Sequence, residues 1–144
     1  MLWLNDRLVD ESQEAALLPV TDRSFLLGEG LFETILTIGS KAVALDRHIS
    51  RLNTGAQTLG IAIPTKEALA IAVTKLLHAT TDISLGRMRI TISGSGNLLV
   101  THHSYKEWSE PARLVTYPYP FNAKSPLQAR FYLDRTRRQC EYRK

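Results

Sequence analysis

Three short segments hold side chains of the types that bind or move charge. The first is Asp22-Arg23-Ser24-Phe25-Leu26-Leu27-Gly28-Glu29-Gly30-Leu31-Phe32-Glu33-Thr34, with two glycines two positions apart ahead of an apolar run. Such glycines serve a tight turn, or they let backbone pass close to another group. The second is Arg47-His48-Ile49-Ser50-Arg51-Leu52. Arg47 and Arg51 stand one helical turn apart, beside the apolar positions Ile49 and Leu52. A guanidinium in that place is either a solvated flank or a fork that reaches a cleft. In a cleft it suits a phosphate or carboxylate, which it grips with two parallel hydrogen bonds. His48 on its own reads as a surface or hydrogen-bonded residue. The third is Gly86-Arg87-Met88-Arg89-Ile90. Strand alternation puts Arg87 and Arg89 on one face, which is either a solvent face or a pair of cations facing an anion. His102-His103 lacks the carboxylate and the spacing of a metal site and reads as loop, so no metal is expected. There is no phosphate-binding glycine loop, no serine elbow and no cysteine pair.

The elements that position these segments follow from periodicity. Leu2-Trp3-Leu4, the turn pair Asn5-Asp6, and Arg7-Leu8-Val9 predict a short hairpin. Residues 31–38 predict a strand with Phe32, Thr34, Leu36 and Ile38 on one face. Gly39-Ser40 is a two-residue hairpin connection, and Ala42 to Leu45 is the returning strand. Asp46 is then the expected N-cap of a helix carrying Ile49, Leu52, Ala56 and Leu59, with Gly60 as its stop. Thr65 caps a second helix whose buried stripe is Leu69, Ala72, Val73, Leu76 and Leu77. Arg87 to Ser93 is a strand, Ser93-Gly94-Ser95-Gly96-Asn97 a flexible loop, and Ala112 to Tyr117 a further strand. Two helices among five or six hairpin-linked strands make an α+β fold with a mostly antiparallel sheet. Pro118 to Pro126 reads as a linker, followed by an extended stretch from Leu127 to Arg138. The expected division is a domain over residues 1–120, with residues 121–144 as linker and first strand of a second.

Composition sets the outer limits. The 144 residues are 44% hydrophobic and 22% charged, which supports a packed core and excludes a disordered chain. No apolar run is long enough to span a bilayer, and Met1 to Asp6 carries no signal-peptide pattern. Cys140, the single cysteine, cannot form an internal disulfide and fits a reducing cytoplasm. Lys124, Arg130, Arg135, Arg137, Arg138, Arg143 and Lys144 against Asp134 and Glu141 give the last 21 residues a charge of +5; residues 1–123 carry −1. The basic excess therefore belongs to the tail, and nucleic acid is not the expected partner of the domain. A non-catalytic fragment that binds an acidic partner through this tail is the alternative from another functional class.

Taken in order, the segments resemble one family, the fold-type IV (class IV) pyridoxal-phosphate enzymes. These include branched-chain and D-amino-acid aminotransferases and aminodeoxychorismate lyase. The resemblance rests on Asp22-Arg23-x-Phe25-x-x-Gly28-Glu29-Gly30-x-Phe32-Glu33, on His48-x-x-Arg51-Leu52 with Leu59-Gly60-Ile61, and on Gly86-x-x-Arg89 to Ser93-Gly94. It covers residue 1 to about residue 120. It implies that Arg51 holds the phosphate of pyridoxal 5'-phosphate in a crevice bordered by Phe32, and that Leu27, Phe32, Arg87 and Arg89 line the substrate pocket. Ser93 stands where D-amino-acid aminotransferases have a carboxylate-binding arginine, which counts against that activity. The stretch from Ile92 to Gly96 is a little closer to aminodeoxychorismate lyase.

The resemblance also implies a lysine that joins the cofactor and moves protons at the substrate Cα. Phe131 to Thr136 and Arg137-Arg138 resemble the strand and turn that precede it, so that lysine falls a few residues past Lys144. Lys144 is a weak candidate for the role, and Lys124 a weaker one. The expectation is therefore the small domain of an enzyme about twice this length, acting on an amino acid and a 2-oxo acid as a homodimer. The 144 residues alone are expected to be inactive.

Overall fold

Apolar residues at alternate positions of four strands build one buried sheet face, and two helices cover it. The computed structural model describes residues 1–107, 109 and 110, and Met1–Glu107 makes up one unit. Its elements are β1 (Leu2–Leu4), β2 (Arg7–Val9), α1 (Arg23–Leu27), β3 (Gly30–Ile38), β4 (Lys41–Ala42), α2 (Leu45–Leu59), α3 (Lys66–Ala79), β5 (Leu85–Ser93) and β6 (Leu98–Ser104). The strands form a single sheet in the order β2-β1-β6-β5-β3-β4, and each neighbouring pair is antiparallel. This is the expected α+β fold.

Trp3, Ile35, Met88, Ile90, Ile92 and Val100 point from the sheet toward Ile49 and Leu52 of α2 and Leu69, Val73 and Leu76 of α3, and all are buried. A fully buried aliphatic side chain contributes about 1.5–3 kcal/mol, so this layer supplies most of the driving force for folding. The five buried positions of α3 are the five expected from its periodicity. In β3 the other parity, Phe32, Leu36 and Ile38, is exposed on the open face, as alternation requires.

Several local expectations change. The return after Gly39 (φ 51°) and Ser40 (φ 59°) is a tight two-residue turn, but β4 is only two residues long. Ala44 then adopts a left-handed conformation (φ 53°) that swings the chain straight into α2. Asp46 is therefore not the N-cap. It lies in the first turn, where it pairs with Lys66 Nζ at 2.9 Å. Leu59, expected in the buried stripe, is exposed at the end of α2. A short third helix, α1, is capped by Asp22, whose carboxylate accepts from Ser24 N, and stopped by Gly28 (φ 68°). The expected strand at 112–117, the linker at 118–126, the stretch 127–138 and the boundary at 120/121 lie outside the described residues.

The largest correction is β6. His102-His103, expected in a loop, lies in this strand, and His102 is buried. Leu98, Val100 and His102 form its inward side, so a polar residue occupies a core position. That position is satisfied on both ring nitrogens: Nε2 lies 2.7 Å from Thr37 Oγ1, and Nδ1 lies 2.7 Å from Thr80 Oγ1. Thr80 Oγ1 donates its one proton to Leu76 O, so it accepts from His102 Nδ1–H. Nε2 then accepts from Thr37. Burial, with the neighbouring His103, holds His102 below the usual histidine range, which keeps this neutral tautomer in place. The relay ties the end of α3 to the sheet. It leaves no room beside Gly86, where a Cβ would run into His102 Nε2, Thr37 Oγ1 and, at 2.8 Å, Ile83. Gly86→Ala is expected to lower the unfolding free energy by about 1–3 kcal/mol in urea titration, the usual range for overpacking. An unchanged midpoint would show that the relay is not held in this geometry.

Candidate functional site

The first element of the site is an ion cluster between β3 and α2. Inward parity puts Glu33 on the face that α2 covers. Helical spacing puts His48 and Arg51 on the side of α2 that meets it. Arg51 Nε donates to Glu33 Oε1 at 2.8 Å, and Arg51 Nη2 donates to Glu33 Oε2. His48 Nδ1 lies 2.8 Å from Glu33 Oε2 and 2.7 Å from Arg51 Nη2. The side chains of His48, Glu33 and Arg51 are 4%, 13% and 26% exposed, so the guanidinium is the member nearest water. Burial pushes the Glu33 carboxyl up, but the hydrogen bonds from His48 and Arg51 and the charge of the guanidinium outweigh it. The net result is a carboxyl below the usual range.

The second element fixes the loop ahead of β3. Asp22 Oδ1 accepts from Ser24 N, and Oδ2 accepts from Ser93 Oγ and from Asn97 Nδ2, each at 2.7 Å. Gly94 N donates to Glu29 O at 2.8 Å, and Arg23 N donates to Ser95 Oγ at 3.0 Å. The loop from Asp22 to Glu29 is thus tied to the β5–β6 turn. The hydrogen bond from Ser93, with those from Ser24 and Asn97, holds the Asp22 carboxyl below the usual range. Gly30 is where backbone passes close: a Cβ there would lie 2.8 Å from Ser24 Oγ and 3.0 Å from Ile92 O.

The third element is the open sheet face. Phe32 is 50% exposed, and the Arg89 guanidinium stacks over its ring at 3.8 Å from the centroid. Arg89 Nε also donates to Thr91 Oγ1 at 3.3 Å. Arg87 lies on the same face, opposite Leu36 on β3 and His103 on β6. Leu27, 62% exposed, ends α1.

Of the expected site residues, Phe32, Arg87 and Arg89 share one face, and Arg51 lies on the other. Strand parity puts Phe32 and Glu33, the partner of Arg51, on opposite faces of β3. A cavity of about 300 Å³ does lie beside the 18–25 loop, lined by Leu18, Val20, Phe25, Thr91, Ser93 and Leu99 among others, and Arg51 and Phe32 are not among them. Arg51 is nonetheless not in bulk solvent, because Glu33 orients it. Lys144 lies outside the described residues. Sequence reasoning missed the partners of Arg51. The signal for them was a lone acidic residue, Glu33, at an inward position of β3 between Leu31 and Ile35. The donor chemistry fits a phosphate group: a permanent cation, held in plane by a carboxylate, with a quarter of its surface exposed.

The depressed Glu33 carboxyl has a signed consequence. Its contribution to stability is present above the unfolded carboxyl value, about 4.3, and is lost as pH falls through the lower folded value. Glu33→Gln is expected to cost about 1–3 kcal/mol at pH 7, since it leaves a partly buried guanidinium without its carboxylate. The cost is expected to shrink in urea titrations carried down to pH 3. A cost independent of pH would contradict the ionised pair.

The family described as amino-transferase class IV matches residues 30–142. The chain is 31% identical over 91 residues to a D-alanine aminotransferase of Listeria innocua, covering 62% of this chain and 30% of that protein. A 4-amino-4-deoxychorismate lyase structure from Pseudomonas aeruginosa superposes with a TM-score of 0.55 at 25% identity, over 72% of this chain and 40% of that one. A branched-chain aminotransferase from Thermoproteus uzoniensis, at 21% identity, shares the fold with a TM-score of 0.57 over 74% of this chain and 41% of that one. The chain thus spans about a third of the length of that curated relative and about two fifths of those structures. With the match running through the Arg51 helix and the Arg89 strand, the chain belongs to the class IV aminotransferase family.

Proposed function

We propose that this chain supplies the phosphate-side wall of a pyridoxal-phosphate enzyme that transfers an amino group between an amino acid and a 2-oxo acid. The observation that carries this reading is Arg51, oriented through two guanidinium nitrogens by Glu33 on the family's His-x-x-Arg helix. When bound, the cofactor supplies an electron sink for negative charge at the substrate Cα. The chain's own residues bind and orient. Arg51 holds the phosphate, and Glu33 and His48 hold Arg51. Phe32 and Leu27 offer apolar surface that excludes water, and Arg87 and Arg89 draw in a carboxylate. In this reading residues 1–120 are the small domain, residues 121–144 begin the cofactor domain, and the working enzyme is a homodimer. Lys144 is a weak candidate for its catalytic lysine, and the 144 residues alone are expected not to turn over substrate.

A second reading, pyruvate elimination by an aminodeoxychorismate lyase, uses the same wall. It is favoured by the Ile92-to-Gly96 stretch and by the likeness to the Pseudomonas aeruginosa lyase. The readings separate on substrate: a transferase consumes a 2-oxo acid, and a lyase releases pyruvate without one.

The phosphate-side role is tested by titrating the 144-residue chain with pyridoxal 5'-phosphate and with pyridoxal, following protein fluorescence. The phosphorylated form is expected to bind about ten- to a hundredfold more tightly, the worth of one charge-assisted contact, and Arg51→Gln to abolish the difference. Equal affinity for the two forms would overturn the assignment. Borohydride treatment is expected to fix no adduct selectively at one lysine; a selective adduct at Lys144 would make that residue the catalytic lysine.

A further inference from the structure

His102 is a buried titratable side chain that takes no part in the phosphate-side site, and its hydrogen bonds fit one protonation state. Thr80 Oγ1 commits its proton to Leu76 O, so it accepts from His102 Nδ1–H. Nε2 then offers its lone pair to the Thr37 hydroxyl. Thr37 is fully buried, and among the described residues His102 Nε2 is the one hydrogen-bond partner of its Oγ1. A second ring proton, at Nε2, has no place in this arrangement. It would face Thr37 Oγ1, whose own proton would be left without an acceptor. No water can enter from β5 to take that proton, because Gly86 fills the space: even a Cβ there would run into His102 Nε2, Thr37 Oγ1 and, at 2.8 Å, Ile83. Two charged or titratable groups act on the ring: His103, next on β6, opposes a charge on it, and Asp82, in the turn after α3, favours one. Burial outweighs Asp82. β3 and β5 bring only Thr37, Gly86 and Met88 to the ring, β1 carries no titratable side chain, and His78 in the last turn of α3 is exposed.

We propose that the Thr37–His102–Thr80 relay is an acid-release latch: one proton taken up at His102 Nε2 undocks the end of α3, and with it the turn into β5, from the sheet. The latch joins three elements, through Thr37 on β3, His102 on β6 and Thr80 at the C-cap of α3. A charged ring is better solvated in water than in this site, and on leaving it frees both hydroxyls. What it releases is local. The hydrogen bonds from Thr80 N to Leu77 O and from Ile83 N to Thr80 O hold the end of α3 and its turn, whereas the buried stripe from Leu69 to Leu77 stays packed. The next residues are the start of β5, so the loosened segment ends beside Arg87 on the open face. The latch is closed above the ordinary histidine value, about 6.5, and opens as pH falls from there through the lower folded value. It needs no ligand at Arg51 and stands apart from the proposed function.

The test is amide hydrogen exchange on the 144-residue chain between about pH 7.5 and pH 5, corrected for the intrinsic pH dependence of exchange and read beside ring-nitrogen spectra of its histidines. Protection of the Thr80 and Ile83 amides is expected to fall by up to about tenfold per unit below about pH 6.5, while the Ile90 amide in the middle of β5 keeps its protection. His102 is expected to carry its proton on Nδ1 alone at the start, and to gain one on Nε2 in step with that fall, below the ordinary histidine value. Protonation of His102 with the Thr80 and Ile83 amides still protected would overturn the latch, and so would titration at or above the ordinary value. Loss of protection at Ile90 in the same step means unfolding of the whole unit, which overturns a local release. His102→Gln does not titrate and can accept from Thr37; it is expected to remove the pH dependence of Thr80 exchange, and a variant that keeps it would contradict the proposal. The wild-type spectra and rates stand whatever the folding of that variant.

Discussion

A carboxylate placed against the inner face of a sheet must be paired there, and at Glu33 that requirement organises the site. Removing an ionised group from water costs several kcal/mol unless opposite charge and hydrogen bonds replace the lost solvation. Glu33 obtains both from one turn of α2, through Arg51 and His48. The same contact fixes the rotation of α2 on β3, because a helix turned by one residue would bury a charge unpaired. Packing of Ile49 and Leu52 into the core and pairing of Arg51 outside it are thus two consequences of one helical phase.

Two further polar devices hold the frame around this pair. Asp22 joins the loop before β3 to the β5–β6 turn, and His102 joins the end of α3 to the middle of the sheet. Each is a buried polar group with its hydrogen bonds met, which favours one arrangement over near alternatives more than it adds stability. Phe32, Arg87 and Arg89 project from the side of the same strands opposite α2 and α3. Cations therefore stand on both sides of β3: Arg51 held by a carboxylate, Arg89 stacked on Phe32 and Arg87 exposed.

Much of this was legible in the sequence where pattern and physics agree. The stripe of α3, the alternation of β3 and β5, and the turn at Gly39-Ser40 follow from spacing, and spacing is what the core reads. β6 was not legible, since His102 interrupts its inward side and only Thr37 and Thr80, distant in sequence, make a histidine acceptable there. The start of α2 was missed because Ala44, with no capping side chain, turns the chain by its left-handed backbone. Of the candidate site, Arg51 was legible from its place beside a buried stripe. Strand parity puts Phe32 and Glu33 on opposite faces, so the face of β3 that meets Arg51 is also legible. The cluster around Arg51 needs a residue eighteen positions earlier, and nothing local in the helix announces it.

The pairing of Glu33 with Arg51 across β3 and α2 is most directly measured by a double-mutant cycle on unfolding free energy, using Glu33→Gln, Arg51→Gln and the double variant at pH 7. The expected coupling is about 1–3 kcal/mol, with the double variant losing much less than the sum of the single losses. Additive losses, with no coupling between the two positions, would contradict a carboxylate that orients the guanidinium.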